Sequence, residues 1–186
     1  LLMESSLGKE AIDRLMAEGL DEQDIQAAKL IAERVAFQLR EVVQDSAINV
    51  IKPSAADETS EEGQKLEAFR AVAEQFDLED AIRWMVLLYG EFMTYEAVLD
   101  EYLLSLQYEL QLEDYLNDRE QYLKSKEQKR IDMFGQFIVS TSEIEKFVLD
   151  TVQKSNTIDR AETATPAESE SVAQSELDIP MPDIPS

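Results

Sequence analysis

Adjacent carboxylates recur along this chain of 186 residues, at Asp57–Glu58, Glu61–Glu62, Glu79–Asp80, Asp100–Glu101 and Glu113–Asp114 among others. Paired carboxylates can share a proton in acid–base catalysis or hold a hard divalent cation. Either chemistry needs more than the pair. A di-iron centre in a helical bundle draws on Glu-x-x-His segments, and the sequence has no histidine. A calcium loop alternates oxygen ligands around a glycine, and no segment does so. Without cysteine there is no thiolate nucleophile, no disulfide framework and no zinc site built on sulfur. Gly-rich phosphate loops, the Gly-x-Ser-x-Gly elbow and the Rossmann fingerprint are all missing. With forty acidic residues, adjacent pairs arise from composition alone. The expectation is a protein that is not an enzyme, with no catalytic residue, no cofactor and no metal.

The other groups able to do chemistry are aromatic, and they are concentrated. The single tryptophan, Trp84, and all six tyrosines lie between Leu78 and Leu123. Between Ala81 and Leu99 apolar residues occupy every side of a helical projection, a pattern that other elements must cover. From Leu99 the pattern narrows to a seam of Leu99, Leu103, Leu106 and Leu110. Leu112, Leu116 and Leu123 then lie roughly 140–180° around from that seam on ideal geometry. The stretch therefore breaks near Leu110–Asn117 or hands its apolar side to a different partner. Tyr95 and Tyr102 border the seam, while Tyr108, Tyr115 and Tyr122 share the later face. Such residues are either ordinary packing, ring buried and hydroxyl wet, or part of a protein contact.

Five glycines and five prolines, three of the latter in the last seven residues, favour long helices over a many-stranded sheet. The fold class expected is all-α: an antiparallel helical bundle around one long central helix, built on Trp84–Leu110. Trp84, Leu88, Phe92, Leu99, Leu103 and Leu106 should be among its most buried side chains. Residues 1–46 read as an N-terminal helical hairpin, with a first helix ending at Gly19 and a second opened by Asp21. Such a corner can read DNA, but Glu18, Asp21, Glu22 and Asp24 would repel phosphates. Residues 47–59 read as a linker marked by Pro53. Residues 60–154 read as the bundle core. Its third helix opens on the Thr59–Glu62 capping-box spacing and folds back against the central stretch. Gly90 and Thr94 can kink that stretch, although its apolar character favours continuation. A further helix restarts at Asn117 and runs from Asp118 to about Val139, with Tyr122, Leu123, Ile131, Phe134, Phe137 and Ile138 inward. A last helix spans Glu143–Lys154 behind Ser142.

Forty acids against seventeen basic residues give a net charge of −23. That balance repels nucleic acid and anionic lipid and attracts basic proteins. The longest apolar run, Trp84 to Tyr89, is too short to span a bilayer, and no signal peptide is visible. Charge is also segregated. Residues 66–118 hold thirteen acids and two arginines, a net of −11, whereas residues 119–130 hold five basic and two acidic residues, a net of +3. The basic segment is either a solvated helix face held by local i, i+4 pairs or a surface that meets the acidic flank of another copy.

Residues 155–186 hold seven acids, one arginine and no aromatic residue, the composition of a flexible acidic tail. The tail closes on a repeated Asp-Ile-Pro whose prolines favour an extended backbone. Its Leu177, Ile179, Met181 and Ile184 are candidate docking anchors. The other candidate partner-binding residues are Tyr108, Leu112, Tyr115 and Leu116, which the change of apolar face leaves needing cover. The functional expectation is a non-catalytic acidic helical assembly protein, an adaptor, scaffold or assembly chaperone of the kind viral and phage particles use. It would bind a basic protein partner or further copies of itself, and neither nucleic acid nor membrane. It would be soluble, cytoplasmic or virion-associated. The alternative is a nucleic-acid mimic that occupies a DNA- or RNA-binding cleft.

Overall fold

A helix–glycine–helix corner opens the fold. The structure, a computed structural model, describes residues 4–49 and 60–153, the side chains of 45–49 excepted. Helix α1 (Lys9–Ala17) stops at Gly19, whose φ of 101° only glycine adopts freely. Gly19 N–H donates to the Met16 carbonyl at 2.9 Å and Leu20 N–H to the Leu15 carbonyl at 3.2 Å, closing the helix end. Asp21 then accepts from Gln23 and Asp24 N–H at 3.0 and 3.2 Å and starts α2 (Glu22–Asn49).

All regular structure among the described residues is α-helical. After α2 come α3 (Glu61–Gln75), α4 (Leu78–Phe92), α5 (Tyr95–Tyr108), α6 (Leu112–Asn117) and α7 (Arg119–Asp132). Residues 141–153 form a further helix, α8. The 28-residue α2 packs on α1, α3, α4 and α5, with Ala28, Ala32 and Ala36 at helical spacing among its buried residues. Small side chains on that stripe let neighbouring helices approach closely. The N-terminal hairpin thus shares its core with the helices that follow it. Because α2 runs to Asn49, the expected linker begins later than residue 47. Its remainder, with Pro53, lies outside the described residues, as does the tail from residue 154.

The expected long central helix is two helices. Met93 turns left-handed at φ 74°, and the Thr94 hydroxyl accepts from Ala97 N–H at 3.1 Å, so a cap on each side fixes the break. The apolar girdle of α4 is consequently open on one side. Trp84 and Leu88 are buried, but Leu87 and Tyr89 are exposed and Phe92 is half-buried. Leu99 and Leu103 are fully buried on α5, whereas Leu106 is half-buried. The second break falls between Tyr108 and Leu112, at the near edge of the stretch expected either to break or to change partner. Glu109 adopts φ 57°, Leu110 N–H donates to the Ser105 carbonyl at 2.9 Å, and α6 begins at Leu112.

Other boundaries shift by a residue or more. Ser60 caps α3, the expected Thr59 lying outside the described residues, and α3 packs chiefly on α2 and α5 and not back along α4. Asp118, not Asn117, caps α7 by accepting from Gln121 N–H at 3.2 Å. That helix ends at Asp132, well short of Val139, and Gly135 follows at φ 86°. Leu123, Ile131 and Phe134, expected to face inward, face solvent, Phe134 at 85 % exposure. Ser140, not Ser142, caps α8 by accepting from Glu143 N–H.

The segment before α8 and the first residue of that helix are each fastened to α5. The Gln107 side chain donates to the Val139 carbonyl at 2.9 Å and accepts from Val139 N–H at 2.7 Å. Asp100 accepts from Thr141 N–H at 2.8 Å and from its hydroxyl at 3.2 Å. Phe137 and Phe147 each meet the Phe69 ring edge-on, at 5.6 and 5.3 Å between centroids. Residues up to Phe147 belong to one compact unit and those from Val148 to another. Of the latter, the described residues are the end of α8, where Leu149 and Val152 are exposed.

Candidate partner-binding surface

The basic segment of residues 119–130 is engaged by its own chain. Arg119 pairs with Glu91 of α4 at 3.4 Å, Lys126 with Glu101 of α5 at 2.9 Å, and Lys129 with Glu109 at 3.5 Å. Lys124 and Arg130 pair along α7 with Glu120 and Glu127. The central contact is buried. Glu101 is 7 % exposed, and its second oxygen accepts from the Tyr122 hydroxyl at 2.6 Å. Burial pushes the Tyr122 phenol well above its usual range, and the hydrogen bond to Glu101 adds to the push. This set ties α7 to α5 and gives both oxygens of a buried carboxyl group a partner.

A second ionic cluster fastens α1 to α4. Arg83 contacts Glu18 at 2.7 Å, Asp80 at 2.6 Å and Glu79 at 3.4 Å, while Arg14 holds Glu79 at 2.7 Å. The hydrogen bonds from Arg83 and Arg14 hold the Glu18 and Glu79 carboxyls below the ordinary glutamate range. Asp80 goes the other way. Burial raises its carboxyl against the pull of Arg83, and the charges of Asp77 and Glu113 add to the rise.

The sequence-predicted contact residues separate into two groups. Tyr108 and Leu112 are buried within the chain. Tyr115 is half-buried and Leu116 is 53 % exposed. The Tyr115 ring lies 5.5 Å from that of Phe92 and 5.5 Å from that of Tyr122, and the Arg119 guanidinium sits 4.3 Å over it. The Phe92 contact brings Tyr115 and Leu116 beside the C-terminus of α4, where Met93 is 72 % exposed. The result is a small apolar rim of Phe92, Met93, Tyr115 and Leu116, with Glu91, Glu113, Asp114 and Asp118 within two residues of its members in sequence. Leu177, Ile179, Met181 and Ile184 lie outside the described residues.

A cleft of about 260 Å³ lies between α4, α5 and the turn into α6, and sequence reasoning missed it. Trp84, Tyr102, Leu106 and Leu110 form its apolar lining, and Gln75, Asp80, Glu109 and Glu113 are among its polar groups. The Tyr102 hydroxyl accepts from Asp77 N–H at 3.2 Å, tying the start of α4 to α5. The volume falls below the roughly 300–1,000 Å³ of small-molecule and cofactor sites, so it suits one side chain more than a cofactor. Two of its acids belong to the Glu79–Asp80 and Glu113–Asp114 pairs, the signal that composition had explained away.

Among the described residues no group of three His, Cys, Asp or Glu is placed to hold a metal ion. No described helix is long and apolar enough to cross a membrane. Comparison of the chain with protein-family models, with curated proteins and with solved structures found no match in any of the three.

Proposed function

We propose that this all-α protein is a non-catalytic acidic adaptor or assembly chaperone that engages a basic protein partner. The observation that carries the reading is the engagement of residues 119–130 by Glu91, Glu101 and Glu109 of the same chain. Those cations are therefore spoken for, and the acidic surplus of residues 66–118 is left for another molecule. Glu74, Asp77, Glu96, Asp100, Glu113, Asp114 and Asp118 form no ion pair among the described residues. The exposed rim of Met93 and Leu116 supplies apolar contact beside that charge, the mixed character of a protein interface.

The test is direct binding of the full chain to a panel of purified proteins with pI above about 9. The expected result is a saturable complex with at least one member at about 0.15 M salt, weakened as salt rises. No complex with any member overturns the reading. A complex that forms only in competition with duplex DNA for the partner's own groove would replace it with nucleic-acid mimicry.

A further inference from the structure

The cleft beside Trp84 has two features for which the fold itself has no use. Trp84 is 5 % exposed and lines the cleft, yet its indole N–H meets no acceptor among the described residues. Buried donors are nearly always satisfied, so an orphaned one at a cleft wall is a place for an acceptor from outside. The rim, moreover, carries more negative charge than its neighbours neutralise. Arg83 occupies one oxygen of Asp80 at 2.6 Å, and Lys129 only reaches Glu109 at 3.5 Å. Glu113 pairs with no cation among the described residues, and its charge is felt at Asp80. A ligand that answers both features offers a cation and a hydrogen-bond acceptor close together. A basic side chain and the backbone carbonyls beside it have that composition.

We infer that the cleft receives an arginine side chain from an extended segment of the basic partner, the segment's backbone also supplying an acceptor for the Trp84 indole N–H. The inference deepens the adaptor proposal and rests on it. Arginine is favoured over lysine because its planar fork can meet two carboxylates at once and lie against an aromatic wall. Tyr102 and Trp84 supply that wall, and Leu106 and Leu110 cover the aliphatic stem. Glu109 adds a further mark. It holds a left-handed backbone at φ 57°, where glycine is the less strained residue. Replacing it with glycine removes a rim charge and relieves the backbone at the loss of the 3.5 Å pair with Lys129, and an unchanged urea midpoint then separates weakened binding from a damaged fold.

Trp84 is the sole tryptophan, and its emission reports on the cleft alone. The full chain is titrated with acetyl-Gly-Arg-Gly-amide and with its lysine and glutamine counterparts, following fluorescence and heat of binding. The arginine peptide should give a saturable change that the glutamine peptide does not, and Glu113→Gln and Glu109→Gly should each weaken it about ten-fold. Equal responses to arginine and glutamine, or none, overturn the inference. A lysine peptide that binds as tightly as arginine overturns the choice of guanidinium. The adaptor reading is separable. A basic protein that binds the wild type and the Glu109→Gly/Glu113→Gln variant equally removes the cleft and leaves the reading standing. Failure of every basic protein to bind removes the reading itself.

Discussion

Glu101 is the residue on which the α5–α7 contact turns. Its carboxylate is buried and satisfied by the Tyr122 hydroxyl on one oxygen and Lys126 on the other. Tyr122→Phe removes one donor and leaves the carboxylate half-satisfied, which should lower unfolding free energy by about 1–3 kcal/mol in a urea titration. A change below about 0.5 kcal/mol would mean that water replaces the hydroxyl at no cost. The same environment makes a statement about pH. Burial first, then the Glu101 hydrogen bond, raises the Tyr122 phenol, and burial raises Tyr102. Both stay neutral in the folded chain at a pH where the unfolded chain ionises. Their contribution to stability is therefore whole below about pH 10 and is lost as pH rises beyond it. Alkaline melts followed by circular dichroism should show that loss, and a smaller one in Tyr122→Phe. None of this could be read from the sequence. Glu101 looked like half of an accidental acid pair, and only the meeting of α5 with α7 makes it a buried ion. The cleft beside Trp84 escaped for the same reason, because its lining comes from residues as far apart as Gln75 and Glu113.

Helix ends were legible where a side chain writes them. Gly19, Asp21 and Asp77 act where their types and spacing put them, and each has its hydrogen bond. The break at Met93 is harder to see, since methionine is not a residue that marks a left-handed cap. Gly90 and Thr94 were the signals; Gly90 stays inside α4 while Thr94 caps α5, and the apolar run around them argued for continuation. The two caps can be pulled apart by experiment. Thr94→Ala should cost about 0.5–2 kcal/mol through the lost bond to Ala97. Met93→Gly should stabilise by about 1 kcal/mol, because it relieves a left-handed backbone at an exposed position. Destabilisation by Met93→Gly would show that the Met93 side chain packs on something. The leucine seam, read from periodicity alone, does reach the core at Leu99 and Leu103. Leu103→Ala should therefore cost about 2–5 kcal/mol in a urea titration. A cost below about 1 kcal/mol would mean that the site collapses around the smaller side chain.

For the whole molecule, the competition is between local ion pairs and overall repulsion. The exposed pairs of α7 contribute little each, typically about 0.2–1 kcal/mol, and salt weakens them. The net charge of −23 works against compactness at every distance within a Debye length. Repulsion should win. The melting temperature should rise when salt goes from about 0.01 to 0.15 M, as the screening length shortens from about 30 to 8 Å. A fall would show that the buried Glu101 contact and the part-exposed Arg83 cluster outweigh the net charge. Self-association faces the same repulsion. With the cations of residues 119–130 held in cis, nothing basic remains there to meet a second copy's acidic flank. Sedimentation at low salt and several concentrations should therefore report a monomer.

Phe134 is the most exposed of the large apolar side chains described, and it precedes a glycine at φ 86° in the turn that leaves α7. A protease needs a stretch of chain it can lift into its own cleft, and helices resist that while such turns do not. An enzyme that cuts after aromatic residues should therefore nick the chain behind Phe134 before it touches Phe69, Trp84 or Tyr122, all of them buried. The cut severs one peptide bond and none of the fastenings beyond it. Gln107 still grips Val139, Asp100 still holds Thr141, and Phe137 and Phe147 still flank Phe69. The two pieces should elute together as one particle and part only in denaturant.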